Sequence, residues 1–318
     1  MMTHQTGAGP ALALNDVSKS FGDKQAVRGL SLEVPRGAVF GLLGPNGAGK
    51  STTIRMALNI YLPDSGSVRL FGAPWSGEIS NRIGYLPEER GLYTKMKVGD
   101  LLIYMAAIKG VSARQAGPRI DRWLEKVDLP RCRDRKLHEL SKGMQQKIQF
   151  ISTVLHNPDL ILLDEPFSGL DPINTDLLKD IVVELKGAGR TIIFSTHIME
   201  QAERLCDQIC LINGGRKVLD GTLASIKGGY GRNSVALAFE GDGEFLKGHR
   251  LVRSLNPYNG FLELRLAEGA DPQQLLSEIA GRVRVRRFEV LEPSLHDIFI
   301  ESIRENEAAL PREGAPHA

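Results

Sequence analysis

Cysteine is scarce in this chain: Cys132, Cys206 and Cys210 are the only three in 318 residues, and no Cys-x-x-Cys pair is among them. An odd, unpaired set excludes a disulfide framework and points to a reducing compartment. Cys206 and Cys210 could be read as metal ligands, but Cys210 sits in the apolar run QICLI, which favours core packing over a metal. Long apolar runs are missing too. Nowhere do about 18 apolar residues follow one another without charge, so no helix is expected to cross a membrane. The opening MMTHQTGAGPALALNDVSKS has no basic segment ahead of an apolar one and does not read as a signal peptide; the chain is expected to be soluble or peripheral. Nor is charge of one sign in excess. With 40 Lys+Arg against 38 Asp+Glu and a formal net charge of +2, no overall field draws it to nucleic acid or anionic lipid. Internal repeats are absent, which sets aside solenoids and propellers.

What is there is an ordinary globular composition, 42% hydrophobic and 25% charged, long enough for one large domain and a small one. The β-like runs ALALNDV, QAVRGLSLEV and AVFGLLG open the chain, and Ser51 to Tyr61 shows helical spacing of Ile54, Met56, Ala57 and Ile60. From about residue 95 to 156 the texture becomes helical, with VGDLLIYMAAIKG, GPRIDRWLEKVDL and MQQKIQFISTVLHN, so a helical subdomain is expected inside an α/β core. The strand DLILLDEP, the helix NTDLLKDIVVELKGAG, the strand RTIIFST and the helix IMEQAERLC follow. The glycine-rich LASIKGGYGRN marks a boundary, beyond which a compact α+β domain is expected. The organisation expected is a flexible N-terminus over 1–10, a nucleotide-binding domain over 11–222, a small domain over 223–305 and a flexible tail over 306–318.

The segment GPNGAGKS, residues 44–51, matches the phosphate-loop pattern G-x-x-x-x-G-K-[ST]. Backbone N–H groups of Gly44, Pro45's successors Asn46, Gly47, Ala48 and Gly49, and the start of the following helix at Lys50, Ser51 and Thr52, are placed to turn on phosphates. Lys50 reaches the terminal phosphates, and the Ser51 hydroxyl can bind Mg²⁺. LILLDEP supplies its counterpart, an apolar strand ending in Asp164, which can hold Mg²⁺ through water, and Glu165, which can act as general base on the attacking water. His197 follows the strand RTIIFST at its carboxyl end; if that strand neighbours the phosphate loop, a hydrogen bond to the terminal phosphate follows, and otherwise the residue is a cap. LSKGMQQK, residues 140–147, looks like a second, smaller anion device: a serine and a glycine just ahead of an amphipathic helix. Two phosphate grips but one nucleotide motif need an explanation.

GPNGAGKST, LSKGMQQK, LILLDEP, SGLD and STH in this order resemble the ATPase subunit of an ATP-binding cassette transporter, over roughly residues 11–221. The resemblance implies a P-loop cassette core with an inserted helical subdomain, ATP and Mg²⁺ as ligands, and hydrolysis coupled to transport through a separate membrane permease, which places the chain at the cytoplasmic face of the membrane. It also implies two subunits associating head to tail, a homodimer or a pair with a paralogue, so that Ser141 and Gly143 of one subunit face the γ-phosphate on the other. Asp171 of SGLD is implied to communicate across that dimer, and Phe21 to stack on adenine, unless it only covers the core edge. No nucleic acid is expected as a partner.

Three positions depart from the family pattern. Lys142 and Met144 stand where the signature has a glycine and a glutamine, and Glu88 of IGYLPEERGLY stands where a glutamine is expected; a carboxylate there can bind Mg²⁺ or the attacking water as a charged group. GYLPEERGLY and LSKGMQQK look most like the exporter branch that includes sodium-extrusion and drug-efflux subunits, and LEPSLHDIFIESI resembles the ending of that branch's small C-terminal domain. The run RVRVRR is expected to line one solvated strand face with arginines rather than to form a polyanion site. The competing reading is a soluble ATPase of the same family working in translation or DNA repair; its usual tandem cassettes, coiled coil or zinc modules are not in this sequence.

Overall fold

A computed structural model describes residues 9–89, 91–229, 234–258, 260–267, 269–291 and 293–309, with the side chains of 304–309 left aside. Of the flexible ends expected over 1–10 and 306–318, residues 1–8 and 310–318 lie outside these residues. Two compact units divide at Gly221/Thr222.

In the first unit, β1 (Leu12–Phe21), β2 (Lys24–Val34) and β4 (Ser65–Leu70) form an antiparallel sheet in the order β2-β1-β4. A second sheet has the order β5-β6-β7-β3-β8-β9, from β5 (Ile83–Leu86), β6 (Leu160–Asp164), β7 (Thr191–Thr196), β3 (Val39–Leu43), β8 (Gln208–Asn213) and β9 (Arg216–Thr222). The strands from β5 to β8 pair in parallel. Every residue of β3, β6 and β7 is buried, as expected of parallel strands covered on both faces, which is why VFGLL and LILLD read as unbroken apolar runs. Helix α1 (Lys50–Ala57) shares a core with both sheets: its Ile54 and Met56 pack among Leu12, Leu14 and Val34 of one and Phe40, Leu42 and Leu162 of the other.

Between β4 and β5 lies the short α2 (Gly77–Asn81), and between β5 and β6 come α3 (Val98–Ile108), α4 (Ala113–Lys126) and α5 (Lys142–Val154). The helices α6 (Pro172–Gly187) and α7 (Met199–Leu205) flank β7 along the chain. Among the described residues no helix is long and apolar enough to cross a membrane.

Several expectations need correction. Helix α1 stops at Ala57 rather than reaching Tyr61, because Asn59 turns left-handed at φ 57°, a conformation that ends helices. Helix α4 begins four residues before Gly117, where Gln115 Oε1 accepts from the Ser112 N–H at 3.3 Å, and it runs on through Pro118. Gly143 lies not ahead of α5 but inside its first turn, with Ser141 as the N-cap accepting from Met144 N–H at 3.3 Å. The cysteines are free and buried, and burial, the larger cause, pushes the Cys210 thiol up to about 12, which keeps it protonated and inert.

The second unit carries α8 (Leu223–Gly229) and an antiparallel sheet in the order β11-β12-β10-β13, from β10 (Ser234–Glu240), β11 (Val252–Tyr258), β12 (Phe261–Leu266) and β13 (Arg284–Leu291), with α9 (Pro272–Ala280) and α10 (Leu295–Ala309). Val235, Leu237, Leu264, Leu275 and Ile279 close its core. A bulge between Ala238 and Phe239 interrupts the alternation of RVRVRR, so Arg286 and Arg287 are both exposed in succession. They pair with Glu240 and Glu289 respectively. Helix α10 runs to Ala309, so residues 306–309 of the expected flexible tail are helical.

Candidate functional site

Parallel pairing in register decides where the motifs emerge. Leu43 at the end of β3 lies opposite Thr196 at the end of β7, and Ser195 lies opposite Asp164 at the end of β6. The loop after β3, His197 after β7 and the Asp164-Glu165 pair therefore leave the sheet side by side at its carboxyl end, where open α/β sheets place their ligands.

The loop 44–49 is shaped by its glycines. Gly44 (φ 149°) and Gly49 (φ 108°) could carry no side chain, since a Cβ would come within 2.2 Å of Ile212 O and 2.5 Å of Ala26 O. Ala48 N–H closes a turn onto Pro45 O at 3.2 Å. Lys50 opens α1 and bends back, donating from Nζ to Gly44 O at 2.8 Å and Pro45 O at 3.3 Å. The loop thus leaves its lysine buried and anchored at the positive end of a helix.

Across from it, the Glu165 carboxylate is 3.5 Å from Lys50 Nζ and 3.0 Å from His197 Nδ1, both through Oε1. Glu165 is a non-glycine residue at φ 47°, a conformation that costs energy and persists only where the surroundings hold it. What holds it is Ser195, whose carbonyl and Oγ both accept from the Glu165 N–H, at 3.2 and 3.1 Å. The Ser195 hydroxyl in turn donates to Asp164 Oδ1. Ser195 was not singled out from the sequence, although it is the residue before Thr196-His197 in the motif STH.

A cleft of about 340 Å³ gathers Phe21, Lys24, Glu88 and Glu165 with Asn46, Gly47 and Gly49 of the loop and Lys50, Ser51 and Thr52 of α1. Phe21 stands at its rim, edge-on to Tyr61 with centroids 5.1 Å apart. Lys24 is a second residue that motif reading missed, since a lone lysine in a hairpin carries no pattern. The loop bearing Glu88 is pinned from behind: Gln149 Nε2 of α5 donates to Pro87 O at 3.4 Å and Glu89 O at 3.3 Å. Of the other residues expected at the site, Gly44, Pro45, Ala48, Asp164 and His197 stand behind this lining, and Ser141, Gly143 and Asp171 do not line the cleft either. Asp171 caps α6, accepting from Asn174 N–H at 2.9 Å, and that backbone hydrogen bond, its largest cause, holds its carboxyl below the usual range.

The donor set suits a hard cation. Asp164 is fully buried, and its Oδ2 has no hydrogen-bond partner among the described residues, an orphan acceptor of the kind a bound ion satisfies. Ser51, Glu88 and Glu165 offer oxygens along the cleft, and no cluster of three or more His, Cys, Asp or Glu able to hold a metal occurs among the described residues. Few protein oxygens, all hard, match Mg²⁺ shared with phosphate oxygens and water better than a transition metal held by the protein alone.

Comparison with known proteins agrees with this geometry. The family described as ABC transporter matches residues 27–168, and that described as ATP-binding protein DrrA1-3-like, C-terminal domain, matches residues 221–303. An uncharacterized ABC transporter ATP-binding protein of Bacillus subtilis (strain 168), YhaQ, is 47% identical over 92% of this chain and 98% of its own length. Nod factor export ATP-binding protein I of Rhizobium sp. (strain N33) is 36% identical over 91% of this chain and 96% of its own. A solved ATP-binding subunit of an ABC transporter superposes with a TM-score of 0.65 at 32% identity, over 69% of this chain and 93% of that one.

Proposed function

The chain belongs to the ATP-binding subunits of ABC transporters and is an ATPase, and from that premise we propose that it is the motor of an exporter, hydrolysing ATP in a head-to-tail pair at the cytoplasmic face of a membrane-spanning permease. The similarity to proteins of Nod factor export supports the direction. The reading of a soluble ATPase in translation or DNA repair has no counterpart among these relatives.

The observation that carries the mechanism is the approach of Lys50 and His197 to the same Glu165 carboxylate oxygen, at 3.5 and 3.0 Å. The loop amides and Lys50 hold the β- and γ-phosphates, and the Lys50 ammonium leaves its carbonyl partners to neutralise them. Phe21 packs on the adenine. Glu165 accepts the proton of the attacking water, held in its strained pose by Ser195, while His197 orients that carboxylate and donates to the γ-phosphate. Ser51 and Asp164, with Glu88 at the mouth, hold Mg²⁺, which supplies neutralisation of charge developing on the phosphates.

Ser141, Gly143 and Asp171 serve the partner's ATP. The support for this is an unexplained glycine. Gly143 has helical φ, and a Cβ there would meet only Leu170 Cδ2 at an ordinary 3.6 Å, so packing within this chain does not require glycine. Close approach by another molecule does. ATP shared between two such surfaces joins the subunits, and removing its terminal phosphate separates them.

Coupling to the permease runs through a groove of about 220 Å³ between Tyr85, Leu92, Met105, Ile108 and His156, with Tyr93, Tyr104 and Ile108 exposed nearby. A permease loop seated there contacts both the Glu88 loop and the helical region, so closure on nucleotide moves it. The test is affinity purification of the chain from gently solubilised membranes of its native cell. A multi-span membrane protein recovered with it is the expected result; recovery only from the soluble fraction, on ribosomes or nucleic acid, overturns the proposal.

A further inference from the structure

A second cavity lies away from the nucleotide cleft and shares no residue with it. It is a groove of about 490 Å³ between α4 and the stretch that runs from the end of α5 into β6, with α6 and Arg190 along its other side. Volumes of this order are typical of small-molecule sites. Arg119, Arg122, Trp123 and Lys126 face into it from α4, spaced at i, i+3, i+4 and i+7 so that they share one side of the helix.

The charges in this groove are unbalanced. Four cations line it, Arg119, Arg122, Lys126 and Arg190, against one carboxylate, Glu184. Two cations are already neutralised: Lys126 bridges to Glu184 and lies over the Trp123 ring, and Arg190 donates to Asp159 at 2.9 Å. Arg119 and Arg122 have no acidic partner among the described residues. Arg119 Nη1 donates to Leu155 O at 3.4 Å and Arg122 Nε to Pro118 O at 3.3 Å, which uses one donor of each and leaves the rest of both guanidinium forks unused. A solvated basic helix face would stand clear of walls. Here Val154, Leu155, Ile161 and Leu185 back the groove, and low-dielectric walls strengthen the field of unpaired cations.

We propose that this groove is a binding site for a small soluble phosphorylated anion, gripped by Arg119 and Arg122. Guanidinium forks pair bidentately with phosphate oxygens, and two such cations side by side match an anion of two or more negative charges, whereas a monovalent carboxylate neutralises only one of them. The groove is larger than one phosphate, so the ligand class is a diphosphate or a phosphorylated metabolite rather than free phosphate. It is walled by α4 from the helical region and α6 from the core, and an occupant ties these two as the Lys126–Glu184 bridge already does.

Trp123 is a built-in reporter, because the chain has only one other tryptophan, Trp75. In a Trp75→Phe background, inorganic pyrophosphate is titrated without divalent cations and at constant ionic strength, with a saturating non-hydrolysable ATP analogue filling the nucleotide cleft. A saturable change in Trp123 emission is expected, about tenfold or more weaker in the Arg119→Gln/Arg122→Gln variant. Far-ultraviolet circular dichroism and affinity for a fluorescent ATP analogue are expected to be unaltered in that variant. Emission that does not saturate, saturation that the double variant leaves unchanged, or a response only to anionic phospholipid vesicles and not to pyrophosphate overturns the proposal.

Discussion

The two glycine-bearing anion devices of the first unit differ in what their glycines are for. At the phosphate loop, Gly44 and Gly49 are demanded from inside: left-handed or near-extended positive φ and backbone carbonyls within 2.5 Å of any Cβ leave no alternative residue. At the start of α5, Gly143 is helical and has room. The first device is complete within one chain, with its lysine buried and its acidic counterpart 3.5 Å away. The second has Ser141 exposed and Gly143 half-buried, and neither lines the nucleotide cleft. A glycine required by internal packing and a glycine required by a visitor look identical in a sequence, and only the surroundings tell them apart. That difference explains why a chain with one nucleotide motif carries two phosphate grips: on the proposed reading each ATP takes one grip from each subunit.

The sharpest way to break the comparison is at the complete end. Glu165→Gln keeps the shape, the backbone hydrogen bonds to Ser195 and the loop, but removes the proton acceptor. Turnover is expected to fall by about 10² to 10⁴-fold, the usual contribution of general base catalysis, with ATP affinity retained. Steady-state phosphate release together with nucleotide binding measures both; near wild-type turnover would sink the role given to Glu165.

A smaller effect, and a more discriminating one, is expected at the exposed end. Gly143→Asp adds a negative charge in the first turn of α5, where the helix dipole welcomes it, so the thermal midpoint and the single chain's affinity for ATP should hold. Set against the partner's γ-phosphate, the same charge should cost turnover roughly 100-fold, as like charges do at an interface. It should also abolish the ATP-dependent dimer that light scattering detects for Glu165→Gln. Normal turnover from Gly143→Asp would leave the second grip without a function.

What was legible in the sequence follows the same division. GPNGAGKS, LILLDEP and STH could be read because each joins a buried apolar strand to a residue type with one chemical use, and parallel register then brought them together. The strand β4 was not legible: SGSVRL is mostly exposed, lacks alternation, and exists because β1 offers it a pairing edge. Ser195 and Gln149 were missed for a related reason. Their work is to hold a backbone N–H or carbonyl 30 to 62 residues away, and neither target exists until the sheet has formed. Gly143 reads as lying ahead of α5, yet it sits in the helix's first turn: glycine is a weak helix former, and Ser141 at the cap outweighs it.

The mildest test separates the two ends of α5 itself. Its start is exposed at Ser141 and Lys142, whereas His156, just past its last turn, is tied to the sheet through Nε2 and Ile83 O at 3.1 Å. Burial, with help from the nearby Lys109 charge and against the Ile83 carbonyl, lowers the His156 imidazole to about 4. The folded state therefore refuses a proton that the unfolded chain accepts near pH 6.5. Stability from this residue is complete above about pH 6.5 and is lost as the pH falls toward 4. Between pH 7.5 and 5 the loss should be about 2 kcal/mol. Urea unfolding of wild type and His156→Gln at the two pH values isolates it, since every other titrating group is common to both. The wild type should lose about 2 kcal/mol more than the variant on acidification, and equal losses would mean that the far end of α5 is as open to water as its start.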